Sequence, residues 1–135
     1  MRYQKITAAG VPEPRPNSYT NCKKVGDQVF ISGMVAWDAE FRPLGGNDPY
    51  EQSKIALGYI KKLMEAAGGT VNDIMTLTVF TTDMRHQPAF WKARAEVFSG
   101  DFPCSTLVCV HSLFLPELLI EINAIAVIGA GGPPD

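Results

Sequence analysis

Residues that commonly bind metals and nucleotides are scarce in this chain. Only three cysteines and two histidines occur among its 135 residues. None of them stands at CxxC or HxxxH spacing, so the sequence predicts no metal site. The glycine-rich patterns GxGxxG and GxxxxGKS/T, which bind nucleotide phosphates, are also missing. These absences argue against the commonest zinc proteins and nucleotide-binding enzymes.

Long apolar runs and clustered charge are missing as well. No hydrophobic stretch approaches the length of a membrane span, and a net charge of −2 gives no basic surface for a nucleic acid. Cys22, Cys104 and Cys109 are odd in number and widely spaced, and no signal peptide is seen, which argues against disulfides. We therefore expect a cytoplasmic protein with no membrane or nucleic-acid partner. Cys104 and Cys109 are expected to be small buried side chains.

The hydrophobic content of the chain is sufficient for one domain with a core. Hydrophobic residues make up 46% of the sequence, and we assign residues 1–128 to a single domain. The tail Gly129–Asp135 is rich in Gly and Pro, so it is expected to be disordered.

Strand and turn patterns dominate the first third and the last third of the chain. A hairpin is indicated around Gly26-Asp27. Gly33 is expected to follow directly, where the second strand of the hairpin ends. The predicted strands cover about 3–7, 20–25, 28–32, 74–82, 105–111 and 118–128.

Two segments have helical periodicity. The first begins with Asp48 as N-cap, Pro49 in the first turn and Glu51 in a capping box, and Gly68-Gly69 ends it. The second runs from Pro88 to about residue 98. Together the elements predict an α+β fold, a mixed sheet of about six strands with two helices on one face. The other face is also apolar and has no layer to cover it, so association with other copies is expected.

Glu121 is the one ionisable residue in the apolar run 118–128. Burying a carboxylate costs several kcal/mol, about 5, unless the group is paired or neutralised. We therefore predict that Glu121 is either functional or paired across a subunit interface.

Four segments of the chain resemble the Rid (YjgF-like) family of reactive intermediate deaminases. They are QVFISG at 28–33, MEAAGG at 64–69, VFTTDM at 79–84 and IEINAIA at 120–126. With Tyr19 and the order of the elements, the resemblance covers about Tyr3 to Val127. It implies a chorismate-mutase-like fold and a homotrimer with three ligand clefts between subunits.

The resemblance also implies a chemistry and a set of site residues. Active members hydrolyse enamines and imines such as 2-aminoacrylate to a 2-keto acid and ammonia, without a cofactor or metal. By position, Glu121 matches the glutamate that positions the attacking water. Gly33 matches a glycine whose backbone lines the cleft, and Tyr19 matches a cleft tyrosine.

The cleft implied by the resemblance has lost its usual cation. The family has Pro-Ala-Arg-Ser/Thr where this chain has Pro-Cys-Ser-Thr at 103–106, so Ser105 replaces the arginine that binds the substrate carboxylate. Arg94, one helical turn after Trp91, is a candidate to compensate. The other altered substrate-binding positions are Met34, Trp91, Leu107 on the strand face of Ser105, and Asn123.

Three functions follow as hypotheses. The first is hydrolysis of an enamine or imine bulkier or more apolar than 2-aminoacrylate, with water positioned by Glu121. The second is a trimer that binds a small metabolite, or acts like a chaperone, without turnover. The third is ribonuclease activity, for which the sequence offers no histidine pair, metal site or basic stripe.

Overall fold

A single mixed sheet is the centre of the computed structural model, which describes residues 1–133. Its strands are β1 (Gln4–Lys5), β2 (Cys22–Val25), β3 (Gln28–Val35), β4 (Ile74–Thr81), β5 (Cys104–Cys109) and β6 (Ile120–Val127). They are ordered β1-β2-β3-β6-β4-β5. The pair β4–β5 is parallel, and the other neighbouring pairs are antiparallel.

Two helices cover one face of this sheet, α1 (Pro49–Ala66) and α2 (Gln87–Val97), and single 3-10 turns precede β4 and α2. The α+β architecture predicted from the sequence is therefore confirmed. The Asp48 carboxylate caps α1 by accepting from the N–H groups of Tyr50 and Glu51. The predicted capping role of Glu51 is wrong, because its carboxylate lies 2.9 Å from the Lys54 amine.

The hydrophobic core lies between the sheet and the helices. Apolar residues at helical spacing on α1 are fully buried, and α2 adds Phe90 and Ala93. On the sheet side the core receives the inward residues of β4 and β6, among them Leu77, Val79 and Ile122. Residues 120, 122, 124 and 126 of β6 are buried and alternate with 121, 123 and 125 on the other face.

Strand β3 contains an irregularity that the sequence did not predict. The strand continues through Gly33 to Val35, and its register against β6 shifts between Ile31 and Met34. An inserted residue reverses which face the following side chains point to. Met34 is therefore buried in the core beside the helices, and its predicted place in the cleft is wrong.

The second face of the sheet carries no helix and leaves large apolar side chains in solvent. Phe30, Val108 and Ile125 are all exposed and alternate with residues that face the core. We call this surface the open face. Its coverage by other copies of the chain stays a prediction.

Two of the three cysteines lie on the surface. The prediction that Cys104 and Cys109 are buried is wrong for the single chain, because both are exposed on β5. In the tail, the Gly131 N–H donates to the Asp73 carboxylate at 2.9 Å. The predicted disorder at Pro134 and Asp135 falls outside the described residues. Neither helix within residues 1–133 has the length and apolarity needed to cross a membrane.

Candidate functional site

A cavity of about 530 Å³ opens where β3 and β6 meet the preceding and following loops. Its walls are largely aromatic, and its floor is formed by Gly33 and Glu121. We call it the aromatic cavity. Its remaining lining residues are Pro14, Arg15, Ser18, Tyr19, Ser32, Val35, Trp37, Phe41 and Phe114. This volume is within the range of small-molecule sites.

Glu121 is the acidic group of the aromatic cavity. It lies on β6 between Val35 of β3 and Phe80 of β4, and its side chain is half-buried. Within residues 1–133 the carboxylate has no salt bridge or hydrogen-bond partner. Burial raises the pKa of Glu121 above its ordinary value near 4.5. A carboxylate whose pKa is raised inside a cavity is a candidate for proton exchange with a ligand.

Gly33 makes room for this carboxylate. A Cβ atom at position 33 would lie 2.5 Å from Oε2 of Glu121 and 2.6 Å from its Cδ. Such contacts are far inside van der Waals distance, so any side chain at 33 would displace the glutamate. The irregular stretch of β3 therefore brings main chain, without a side chain, against the carboxylate.

Tyr19 stands beside Glu121 in the cavity wall. Its pKa is raised first by burial and then by the negative charges of Glu121 and Glu13, so the phenol remains a hydrogen-bond donor at neutral pH. The segment that carries it is tied to β3, because the Ser32 N–H donates to the Asn21 carbonyl at 2.9 Å.

A tight loop at 37–43 supplies two aromatic walls. Its Asp38 carboxylate accepts from the main-chain N–H groups of Glu40 and Arg42. Phe41 adopts a φ of 62°, which is costly for a bulky residue and persists only where the surrounding structure holds it. The Phe41 ring packs against Trp37 with ring centroids 5.0 Å apart. The loop thus holds two rings in fixed positions over the floor.

Phe114 completes the aromatic wall from the loop between β5 and β6. It is 77% exposed, and its edge meets Trp37 at 5.9 Å between centroids. Buried Gln52 of α1 anchors this loop, because its amide donates to the Glu117 carbonyl and accepts from the Leu119 N–H, both at 2.9 Å. The anchored loop therefore holds the exposed Phe114 ring at the rim of the cavity.

The structure brings together three of the predicted site residues and separates the rest. Tyr19, Gly33 and Glu121 line the aromatic cavity. Asn123 lies on the same sheet face but lines a second cavity of about 390 Å³, with Lys23, Phe30 and Thr78 among its walls. The sequence-based grouping of Asn123 with Glu121 therefore does not hold within one chain.

The other predicted contacts meet at the β5 edge of the sheet. Ser105 pairs in register with buried Leu77, and Leu107 with buried Val79, so both face the helices. Arg94 donates from Nη1 to Ser105 Oγ at 3.4 Å and stacks on Trp91, which is 49% exposed. We call Trp91, Arg94, Ser105 and Leu107 the edge cluster.

Sequence reasoning missed most of the aromatic cavity. Trp37, Phe41 and Phe114 lie in loops, where no periodicity reports the direction of a side chain, and Arg15 lies between two prolines. The available signal was the number of aromatic residues in segments read as turns. Within the described part of the chain, no group of three His, Cys, Asp or Glu residues could hold a metal ion.

Comparison with known proteins gives a family match over most of the chain. The family model described as endoribonuclease L-PSP matches residues 12–128. A solved structure of a protein of unknown function from Pseudomonas aeruginosa is 37% identical, with a TM-score of 0.83, and the alignment covers 94% of this chain and 93% of that one.

Two further similar structures are of proteins that have been named. RidA from an Antarctic Psychrobacter species is 28% identical, with a TM-score of 0.81 and coverage of 93% and 99%. TdcF of E. coli, described with bound serine, is 26% identical, with a TM-score of 0.82 and coverage of 92% and 98%.

Proposed function

The chain belongs to the endoribonuclease L-PSP family, which includes the YjgF and Rid proteins, and from this premise we propose that it hydrolyses enamines or imines. The proposed substrate is bulkier or more apolar than 2-aminoacrylate. It binds in the aromatic cavity, and the reaction needs no cofactor and takes place in the cytoplasm.

One observation carries the proposal. Glu121 is a half-buried carboxylate without a partner in residues 1–133, on the floor of a cavity large enough for a metabolite. A buried charge with no structural partner costs stability, and such groups concentrate at functional sites. Gly33 has no side chain at the position where one would displace this carboxylate.

The proposed reaction adds water across a C=N bond. An enamine first tautomerises to an imine, whose carbon is electrophilic. The Glu121 carboxylate accepts a proton from a water molecule as the water oxygen bonds to that carbon. The protonated carboxyl then returns the proton to the nitrogen, which gives a carbinolamine. The carboxylate next takes the proton of the new hydroxyl group and passes it to the amine nitrogen, so that the C–N bond breaks as the C=O bond forms, and a carbonyl compound and ammonia leave. The raised pKa of Glu121 makes it a stronger base than an ordinary carboxylate, which favours these proton transfers.

The aromatic walls of the cavity favour a substrate larger than 2-aminoacrylate. Trp37, Phe41 and Phe114 offer apolar and aromatic surface that a three-carbon acid would leave largely unused. The relative described with bound serine shows a small amino acid in a protein of this fold. The expected arginine at position 105 is a serine here, so the substrate is held in another way.

The edge cluster and Asn123 take part in the proposed site only if the chain forms a homotrimer. In a homotrimer, the edge cluster of one subunit would approach the aromatic cavity of the next. Trp91, Ser105 and Leu107 would then contact the ligand from the neighbouring subunit, as would Asn123 and Arg94. The exposed side chains of Trp91 and Phe114 support this arrangement, because both leave large apolar area uncovered in one chain.

The test is turnover of imines formed in situ. An amino-acid oxidase generates 2-imino acids from phenylalanine, leucine or alanine, and semicarbazide traps whatever is not hydrolysed. We expect the protein to lower semicarbazone formation most for the phenylalanine product. Glu121→Gln should reduce the rate by about 10²- to 10⁴-fold, the usual contribution of a general base.

A matched variant controls for the loss of a carboxylate. Glu117 is exposed, and its main-chain carbonyl makes the contact to Gln52, so Glu117→Gln should keep full activity. If no imine is hydrolysed faster than in buffer, but aromatic acids still raise the melting temperature, the non-catalytic metabolite-binding function replaces the proposed one.

A further inference from the structure

The aromatic cavity holds two charged residues of opposite sign. Among its described lining residues, Glu121 is the acidic one and Arg15 is the basic one. The residues between them are aromatic, aliphatic or small hydroxyl side chains. A ligand that matches this lining has one end that reacts with or hydrogen-bonds to a carboxylate, an apolar body, and an anionic end.

The main chain around Arg15 is restrained. Pro14 and Pro16 flank it, and each ring fixes its own backbone φ. The Ser18 hydroxyl donates to the Arg15 carbonyl, and Asn17 turns the chain with a φ of 62°. The backbone that carries Arg15 is thus held in place, which lowers the backbone entropy lost when a ligand binds.

The guanidinium of Arg15 has no competing partner in one chain. Arg15 lines the cavity, and its Cζ atom lies 5.3 Å from the centre of the Phe41 ring, within the range of a cation–π contact. Within residues 1–133 it makes no salt bridge, and the neighbouring carboxylate of Glu13 pairs instead with Lys5 at 3.7 Å. A guanidinium without another partner can make two parallel hydrogen bonds to a carboxylate.

We propose that Arg15 binds the carboxylate of the ligand, and that the aromatic cavity therefore selects 2-imino or 2-amino acids with an aromatic or large apolar side chain. Arg15 is then the specificity-determining residue that supplies the cation missing at Ser105. This inference deepens the proposed function and rests on it for the identity of the reacting end.

The test uses ligands that have no C=N bond, so it is independent of turnover. Calorimetry compares 3-phenylpropanoate with its neutral analogue 3-phenylpropanamide. The wild-type protein should bind the acid about 10- to 100-fold more tightly, the range expected for charge-assisted hydrogen bonds. Arg15→Gln should bind the two compounds equally, and Arg15→Lys should keep part of the preference.

Arg85→Gln is the matched control, because it removes the same charge from an exposed turn outside both the cavity and the edge cluster. It should keep the preference for the acid. The proposal is overturned if wild type binds neither compound or shows no preference, if Arg15→Gln retains the preference, or if Arg85→Gln loses it. Failure of imine hydrolysis with an intact Arg15-dependent preference would overturn the proposed reaction alone.

Discussion

At the scale of single residues, Glu121 shows how sequence can locate a site without describing it. An acidic residue in an apolar strand has to be paired, neutral or functional, so position 121 could be singled out from sequence alone. The partners of the carboxylate could not be predicted in the same way. Arg15 and Phe41 reach the cavity from loops, and the direction of a loop side chain depends on turns that leave no periodic signal.

The charge of Glu121 should make stability and activity respond oppositely to pH. Its pKa is raised in the folded state by burial, so the folded protein binds this proton more tightly than the unfolded chain. The contribution to stability is full below the ordinary value near 4.5, and it is lost as pH rises through the raised pKa. Activity needs the ionised form and should rise over the same interval.

Urea unfolding of wild type and Glu121→Gln at matched protein concentration checks this expectation. The difference in unfolding free energy, wild type minus variant, should fall with pH from about 4 upward and then level off. Taking the difference removes the opposing effect of Asp83, whose pKa is lowered to about 2 mainly by hydrogen bonds from Arg85. A difference that does not vary with pH would contradict the assigned burial.

At the scale of elements, helices and strands were predictable wherever their apolar period was regular. Helix α1 begins at Pro49 as predicted, because Asp48 and the proline define its start. Strand β3 was predicted to end at residue 32, whereas it continues to Val35 with a register shift after Ile31 that turns Met34 into the core. Bulges follow from pairing with another strand, here β6, so the local sequence does not reveal them.

Gln52 connects α1 to two loops through buried hydrogen bonds, and removing it should lower the free energy of unfolding. It joins α1 to the carbonyls of Gly46 and Glu117 and to the Leu119 N–H. Gln52→Leu would leave these buried groups without partners and should cost about 2–4 kcal/mol of unfolding free energy. Hydrogen exchange at Leu119 should accelerate, and 3-phenylpropanoate should bind more weakly, because the loop holding Phe114 loosens.

Ser53 provides the control for this variant. It is the next residue on α1 and is fully buried, and its hydroxyl has no hydrogen-bond partner within residues 1–133. Ser53→Ala should therefore be neutral or slightly stabilising. Equal destabilisation by both substitutions would show that packing, and not the hydrogen bonds of Gln52, holds the loop.

At the scale of the whole molecule, the residues predicted for the site lie on two separate parts of the surface of one chain. The aromatic cavity lies between β3 and β6, whereas the edge cluster lies beyond β4 at β5. Ser105 and Leu107 could not be assigned to a face from sequence, because parallel pairing with β4 decides which side chains meet the helices. Self-association would bring the two parts together and cover the open face.

Ile125 gives a direct test of that association. It pairs with Phe30 at the middle of the open face and is 43% exposed in the single chain. A lysine there would place a charge in any interface built on this face, which is strongly destabilising. Light scattering should report about three times 14.7 kDa for wild type and a single-chain mass for Ile125→Lys.

Met84 offers a comparison outside the sheet. It is exposed in the short turn before α2, so Met84→Lys should leave the mass unchanged. An Ile125→Lys protein that keeps the wild-type mass would show that the open face is not the interface.

The contact between Gly33 and Glu121 also constrains how this sequence can change over generations. While the glutamate is present, a larger residue at 33 displaces it, so that substitution would also cost any function that depends on the carboxylate. Once a lineage has exchanged Glu121 for a short residue, position 33 becomes free to accumulate side chains. Each such side chain then blocks the return of the glutamate, because the two positions are strongly coupled. Loss of the acidic group in a descendant would thus become difficult to reverse, through a glycine that takes no part in the chemistry.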